Sequence, residues 1–239
     1  MLDVANTSYF HYTEELVAND SLATIVEGSP LVMKVEDGLG KVSLGSGNDS
    51  EVFVGVAHAC FIRPEELTMT QEIVVDANSL TVALARKPLA GKLSAYDVEA
   101  KAKATVASST PSAGEVQFTA GSGEENGTVT FNASDAGKQF NITYRYANNI
   151  AEGRAVAGDG VPSGMQLGEL NKTTGCIHSG RVATDQFDIE SDWTAADIND
   201  IKVNADGRFA RGGTGAPVTN ARVLAAPGIM GPYLILQLL

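Results

Sequence analysis

Residues 127–146 read GTVTFNASDAGKQFNITYRY, and from Gln139 to Tyr146 apolar and polar residues alternate without a break. Phe140, Ile142, Tyr144 and Tyr146 fall on one side, and Asn141, Thr143 and Arg145 on the other. A period of two sorts side chains onto opposite faces of an extended strand, whereas a helix would scatter them around its axis. Residues 128–131 form a second short strand, and Ala133-Ser134-Asp135-Ala136-Gly137-Lys138 between the two is a tight polar turn. This stretch is therefore a hairpin.

The same texture extends outward in both directions. Upstream, short apolar runs at residues 24–26, 31–35, 41–44 and 52–57, the last broken by Gly55, are separated by Gly-, Asn- and Asp-rich turns. Residues 61–71 interrupt the pattern, and Arg63-Pro64-Glu65-Glu66-Leu67 reads as one helical turn with proline at its start. Strands resume at 73–75, 80–84 and 95–98, and TVASSTPSAGE (105–115) reads as a loop or an exposed linker before a strand at 115–119. Downstream, residues 147–171 are rich in Gly and Ala and lack a sustained period. Further strands follow at 175–182, 186–189, 201–203, 208–210, 220–224 and 233–239. Asp206-Gly207 reads as a hairpin turn, and Trp193 to Asp197 as a short helical turn capped near Ser191. No helix longer than about two turns is expected. The fold class is all-β, a small β-barrel or sandwich. Its expected organisation is discontinuous: an N-terminal arm at 1–22, a barrel-like domain from 23–71 plus 148–239, and an inserted hairpin-rich module at 72–147.

A length of 239 residues with 44% hydrophobic side chains suffices for a real core, and with only 6% aromatics that core rests on Val, Leu, Ile and Ala. Seventeen basic against 29 acidic residues leave a formal charge of -12, which repels phosphate backbones and argues against direct nucleic-acid binding. The densest basic stretch, Arg86, Lys87, Lys92, Lys101 and Lys103, is diluted by Asp97 and Glu99. Residues 1–20 lack the basic and apolar regions of a signal peptide, and the longest apolar stretch, 229–239, is too short to span a bilayer. A soluble protein made in the cytoplasm, without membrane contact, is expected.

Catalytic constellations are absent from the pattern. His58 sits within an apolar strand, and Cys176-Ile177-His178 has no further Cys or His at zinc-ligand spacing. Cys60 follows an apolar run and reads as a small buried hydrophobe; whether it pairs with Cys176 is left open by the sequence. No G-x-S-x-G elbow occurs, and the glycine pairs around Ser46 and Ser122 precede neither Lys-Ser/Thr nor a helix. Gly212-Gly213-Thr214-Gly215 reads as a hairpin tip or an inter-strand loop rather than a ligand cradle. The acid pairs Glu14/Glu15, Glu36/Asp37, Glu65/Glu66 and Glu124/Glu125 lie in polar segments, and the single Trp offers no aromatic platform for a sugar. Asn48-Asp49-Ser50-Glu51 lacks the spacing of an EF-hand. The expectation is a non-enzyme with no cofactor and no metal.

Three stretches carry a resemblance. The 127–146 hairpin, preceded by TPSAGEVQF (110–118), resembles one found in phage head and tail proteins. Residues 201–209 and ARVLAAPGIMGPYLILQLL (221–239) resemble the closing strands of small β-barrel virion proteins. VEGSPLVMKVEDGLGKV (26–42) with VFVGVA (52–57) is similar to the opening strands of capsid decoration, or cement, proteins. The resemblance implies a bacteriophage virion structural protein that self-associates and stabilises the outer surface of the head, with the major capsid protein as partner. No active-site residue carries over. Tyr9, Phe10 and Tyr12, three aromatics within four positions, are then the candidate anchor, since aromatics dominate interface hot spots. The alternatives are a tail-tube or baseplate component and, in another class, a carbohydrate- or host-surface-binding β module.

Overall fold

The computed structural model describes residues 2–3, 11–21, 24–58, 64–89, 93–148 and 173–239. Among them the chain is all-β, with nineteen short strands, two single 3₁₀ turns and no α-helix. The first five strands are β1 (Leu2–Asp3), β2 (His11–Leu16), β3 (Pro30–Glu36), β4 (Leu39–Leu44) and β5 (Val52–His58). Then come β6 (Glu66–Val74), β7 (Thr81–Ala83), β8 (Leu93–Asp97), β9 (Ala102–Ala104), β10 (Val106–Ala107), β11 (Val116–Thr119), β12 (Thr128–Phe131) and β13 (Gln139–Ala147). The last six are β14 (Thr173–Thr184), β15 (Lys202–Val203), β16 (Phe209–Ala210), β17 (Ala216–Pro217), β18 (Ala221–Ala225) and β19 (Leu234–Leu238).

Strands β6 to β13 form two four-stranded sheets, β6-β13-β8-β9 and β10-β11-β12-β7. The core between them takes Phe140, Ile142 and Tyr144 from one and Val116, Val129 and Phe131 from the other. Full burial of side chains this size contributes about 1.5–3 kcal/mol each. Tyr144 also uses its polar end, its hydroxyl accepting the Arg86 amide at 3.1 Å.

The remaining strands build a second module around β14, which is twelve residues long. Its first half pairs with β2 on one side and β5 on the other, and its second half with β1 and β19. The principal path is β18-β19-β14-β5-β3-β4. Against one face packs the three-stranded sheet β16-β15-β17, burying Phe53, Phe209, Val203 and Leu234 with Trp193. On the other face a smaller core gathers Val17, Ile25, Leu31, Val42, Ala57 and Cys176. Gly55 breaks the apolar run for a steric reason: a Cβ there would stand 2.4 Å from the Ile177 carbonyl oxygen.

The architecture is sandwich-like, with no closed barrel among the described residues. The large sheet curls until the end of β2 approaches β4, where the isolated bridge Val17↔Val42 and the hydrogen bonds from Ala18 N–H to the Val42 carbonyl at 2.9 Å and from Leu44 N–H to Ser21 Oγ at 3.3 Å join the two segments without a continuous ladder among the described residues. Five local expectations also change. Residues 127–146 are not a hairpin: β12 pairs with β11 and β7, and β13 with β6 and β8, so the polar turn between them crosses from one sheet to the other. Residues 11–16 of the expected arm are a sheet strand, because β14 offers them an antiparallel edge, with one bulge between Ile177 and Ser179. The expected seam at 71/72 cuts through β6, which pairs with β13 from Glu66 to Val74. That same pairing replaces the helical turn expected through Leu67. Around Trp193 the chain makes irregular turns rather than a helical one, with the indole N–H donating to the Asp188 carbonyl at 2.9 Å. The 206–207 hairpin forms as expected, pairing Val203 with Phe209. No helix among the described residues is long and apolar enough to cross a membrane.

Candidate functional site

Strand β13 is buried on both faces. Its apolar side fills the core of its own module, while Asn141, Thr143 and Arg145 are buried as well. A polar side chain removed from water needs a partner, and the second module supplies backbone carbonyls. Asn141 Nδ2 donates to Gly228 O at 2.5 Å. Arg145 Nη2 donates to Phe187 O at 2.8 Å and also to Asp185 O. The Arg145 guanidinium lies 5.6 Å from the centroid of the Phe187 ring, a cation–π contact. Gly228, at φ +91°, lets its loop approach this face: a Cβ there would sit 3.3 Å from Thr143 Oγ1. Lys103 adds a further tie, its amide donating to Thr194 Oγ1 at 3.1 Å.

Beside this seam opens a cleft of about 300 Å³ whose walls come from both modules. Glu66 and Arg145 belong to β6 and β13; Thr24, Ser29, Gln186 and Arg208 belong to the other side. One carboxylate is shared by two guanidiniums, Glu66 Oε2 standing 2.8 Å from Arg208 Nη2 and 3.7 Å from Arg145 Nη1. Arg145 is fully buried, and its Nε and Nη1 have no hydrogen-bond partner among the described residues. Burial, with the nearby Arg208 charge second, pulls its pKa down to about 10. Such a group suits an acceptor oxygen.

A second feature is an exposed apolar stripe. Along β3, Leu31 is buried in the smaller core, and the same face continues outward through Met33 and Val35, which are 41% and 74% exposed. Val52, directly opposite Met33, is 64% exposed and extends the stripe onto β5. The core face thus runs out into solvent at the β3–β4 hairpin.

The anchor residues expected from sequence fare unevenly. Tyr9 and Phe10 lie outside the described residues, and Tyr12 is a β2 residue whose backbone pairs with Ile177. Cys60 also lies outside them. Cys176 is a free, buried thiol pushed up to about 12, chiefly by burial and further by Glu15. His178 serves packing between strands: Nε2 is 2.6 Å from Thr13 Oγ1 and Nδ1 is 3.1 Å from Val54 O. His58 lies 3.4 Å from Glu27. The acidic loop at 48–51 is occupied by its own turn, Glu51 taking the Ser46 amide at 3.0 Å and Asp49 taking the Gly215 amide at 2.6 Å. Among the described residues no three His, Cys, Asp or Glu side chains converge as a metal site requires. The cleft and the stripe were not anticipated from sequence. The available signals were an Arg flanked by two tyrosines on an otherwise regular strand, and the unbroken apolar run Leu31-Val32-Met33.

No family model, curated protein or solved structure matches this chain.

Proposed function

We propose that this chain is a non-enzymatic structural protein of a bacteriophage particle, a decoration protein that binds and stabilises the outer surface of the head. The observation that carries it is the apolar stripe of Met33, Val35 and Val52, a continuation of the core face into solvent on an otherwise acidic molecule. Covering three such side chains is worth about 1.5–3 kcal/mol each at full burial, and less here because none starts fully exposed. That is weak for one subunit. Repeated over a symmetric lattice by a self-associating protein, it sums to a firm coat. The partner is the major capsid protein, and the net charge of -12 suits a surface turned away from packaged nucleic acid.

The test is co-sedimentation of the purified chain with expanded, undecorated capsids of the phage that encodes it, with the Val35→Asp variant alongside. Stoichiometric binding that raises capsid thermal stability, lost in the variant while its own unfolding is unchanged, supports the proposal. No binding, with assembly into rings or stacked tubes instead, overturns it in favour of a tail component.

A further inference from the structure

We propose that the cleft at the seam between the two modules is a binding site for a carboxylate group, held between Arg145 and Arg208 opposite Glu66. The inference stands apart from the decoration reading and rests on three observations. First, the deepest polar group in the cleft is only partly matched: Arg145 is fully buried and gives Nη2 to two carbonyls, while its Nε and Nη1 have no hydrogen-bond partner among the described residues. An unmatched buried donor is costly, and a charged acceptor relieves that cost best.

Second, charge in the cleft is ordered by depth. The Arg145 side chain is 1% exposed, Arg208 19% and Glu66 30%. Glu65 and Asp206, the other acids of the lining, are exposed. Solvent and salt screen the outer carboxylates, while the inner cations act through a medium that screens them less. The innermost charged side chains of the lining are therefore the two cations, while the rim is acidic; the buried Asp185 beside Arg145 offsets part of their charge.

Third, the two guanidiniums already share one carboxylate oxygen, Glu66 Oε2, at 2.8 and 3.7 Å. A single carboxylate between two guanidiniums leaves room for a second on chemical grounds. Thr24, Ser29 and Gln186 add neutral hydrogen-bonding groups to the wall. A volume of about 300 Å³ admits a carboxylate carried on a short chain and lies at the low end for small-molecule sites. Such a group comes either from a free dicarboxylic acid or from an acidic side chain of another protein.

The experiment follows the arginine Nε–Hε resonances of the ¹⁵N-labelled full chain. Acetate is titrated against chloride at constant ionic strength, and the Arg145 signal is assigned from its loss in Arg145→Lys. A saturable shift of that signal with acetate and not with chloride is expected. The partly exposed Arg208→Gln, which leaves the core untouched, should weaken binding by about tenfold, the effect of one charge-assisted hydrogen bond. Glutarate and the peptide acetyl-Gly-Glu-Gly-amide are then compared. Tighter binding of the first identifies a free acid as the source; tighter binding of the second identifies a protein side chain. No acetate shift, an equal shift with chloride, or a shift unchanged by Arg208→Gln overturns the site.

Discussion

Among the described residues, the strands between residues 66 and 147 pair only with one another, whereas β14 takes partners from residues 2–3, 11–16, 56–58 and 234–238. The first module is assembled from near neighbours in sequence, and its core lies between two small sheets. The second is held by one long strand that collects distant segments and has a core on each face of its sheet. The two meet on the polar face of β13. There a strand that looks half exposed in sequence instead donates hydrogen bonds to loops of the neighbouring module. Strand periodicity therefore states that a face is polar; it does not state whether water or protein covers it.

Several changes sharpen or break this contrast. The largest effect is expected from Phe140→Ala, which empties the centre of the 66–147 core and should cost about 3–5 kcal/mol in denaturant unfolding. A loss below about 1 kcal/mol would mean that the module's core lies elsewhere.

The central strand of the other module can be probed through Cys176. With its thiol pushed up to about 12, its thiolate fraction near pH 8 is tiny. In a Cys60→Ser background, Cys176 should react with a thiol reagent about a thousandfold more slowly in the folded chain than in the unfolded one. The sign for stability follows. The folded thiol keeps its proton where the unfolded one loses it, so this contribution is present below the ordinary thiol pKa and is lost as pH rises towards about 12. Equal reactivity in both states would contradict the sealed position of β14.

Gly55→Ala places a methyl group 2.4 Å from Ile177 O and 2.6 Å from Cys176 Sγ. Because the obstacle includes backbone, a loss of about 1–3 kcal/mol is expected, read as a lower melting temperature. The smallest effect belongs to Asn141→Ala, which leaves the Gly228 carbonyl without its donor and should cost about 1 kcal/mol. Its unfolding curve should change in midpoint and not in slope.

Much of the all-β texture was legible because it is local. The two strands of 127–146, the 206–207 turn and the strands at 31–35, 41–44 and 52–57 show in alternation and turn residues, and they form; that β12 and β13 do not pair as a hairpin but pass into two different sheets is set by distant partners and did not show. Strand β2 was not legible, since His11-Tyr12-Thr13-Glu14-Glu15-Leu16 has too few apolar residues to declare itself and is fixed by the β14 edge. Nor was β6 legible at its start, where Pro64-Glu65-Glu66 mimics a helix beginning while β13 pairs as far as Glu66. The cleft was less legible still. Arg145, Arg208 and Glu66 are far apart in sequence and meet only because the two modules pack. Leu31-Val32-Met33 announces a buried strand, but only the register with Val52 shows that one of its faces runs out beyond the core.

The central claim, that the polar face of β13 fastens two modules into one cooperative unit, is tested most directly by calorimetry on the full chain and on Arg145→Leu. The substitution leaves the Asp185 and Phe187 carbonyls without their donor and should cost about 2 kcal/mol. The native chain should unfold in one transition whose van't Hoff and calorimetric enthalpies agree, and the variant should split into two. Two transitions in the native chain, unchanged by the substitution, would contradict the claim.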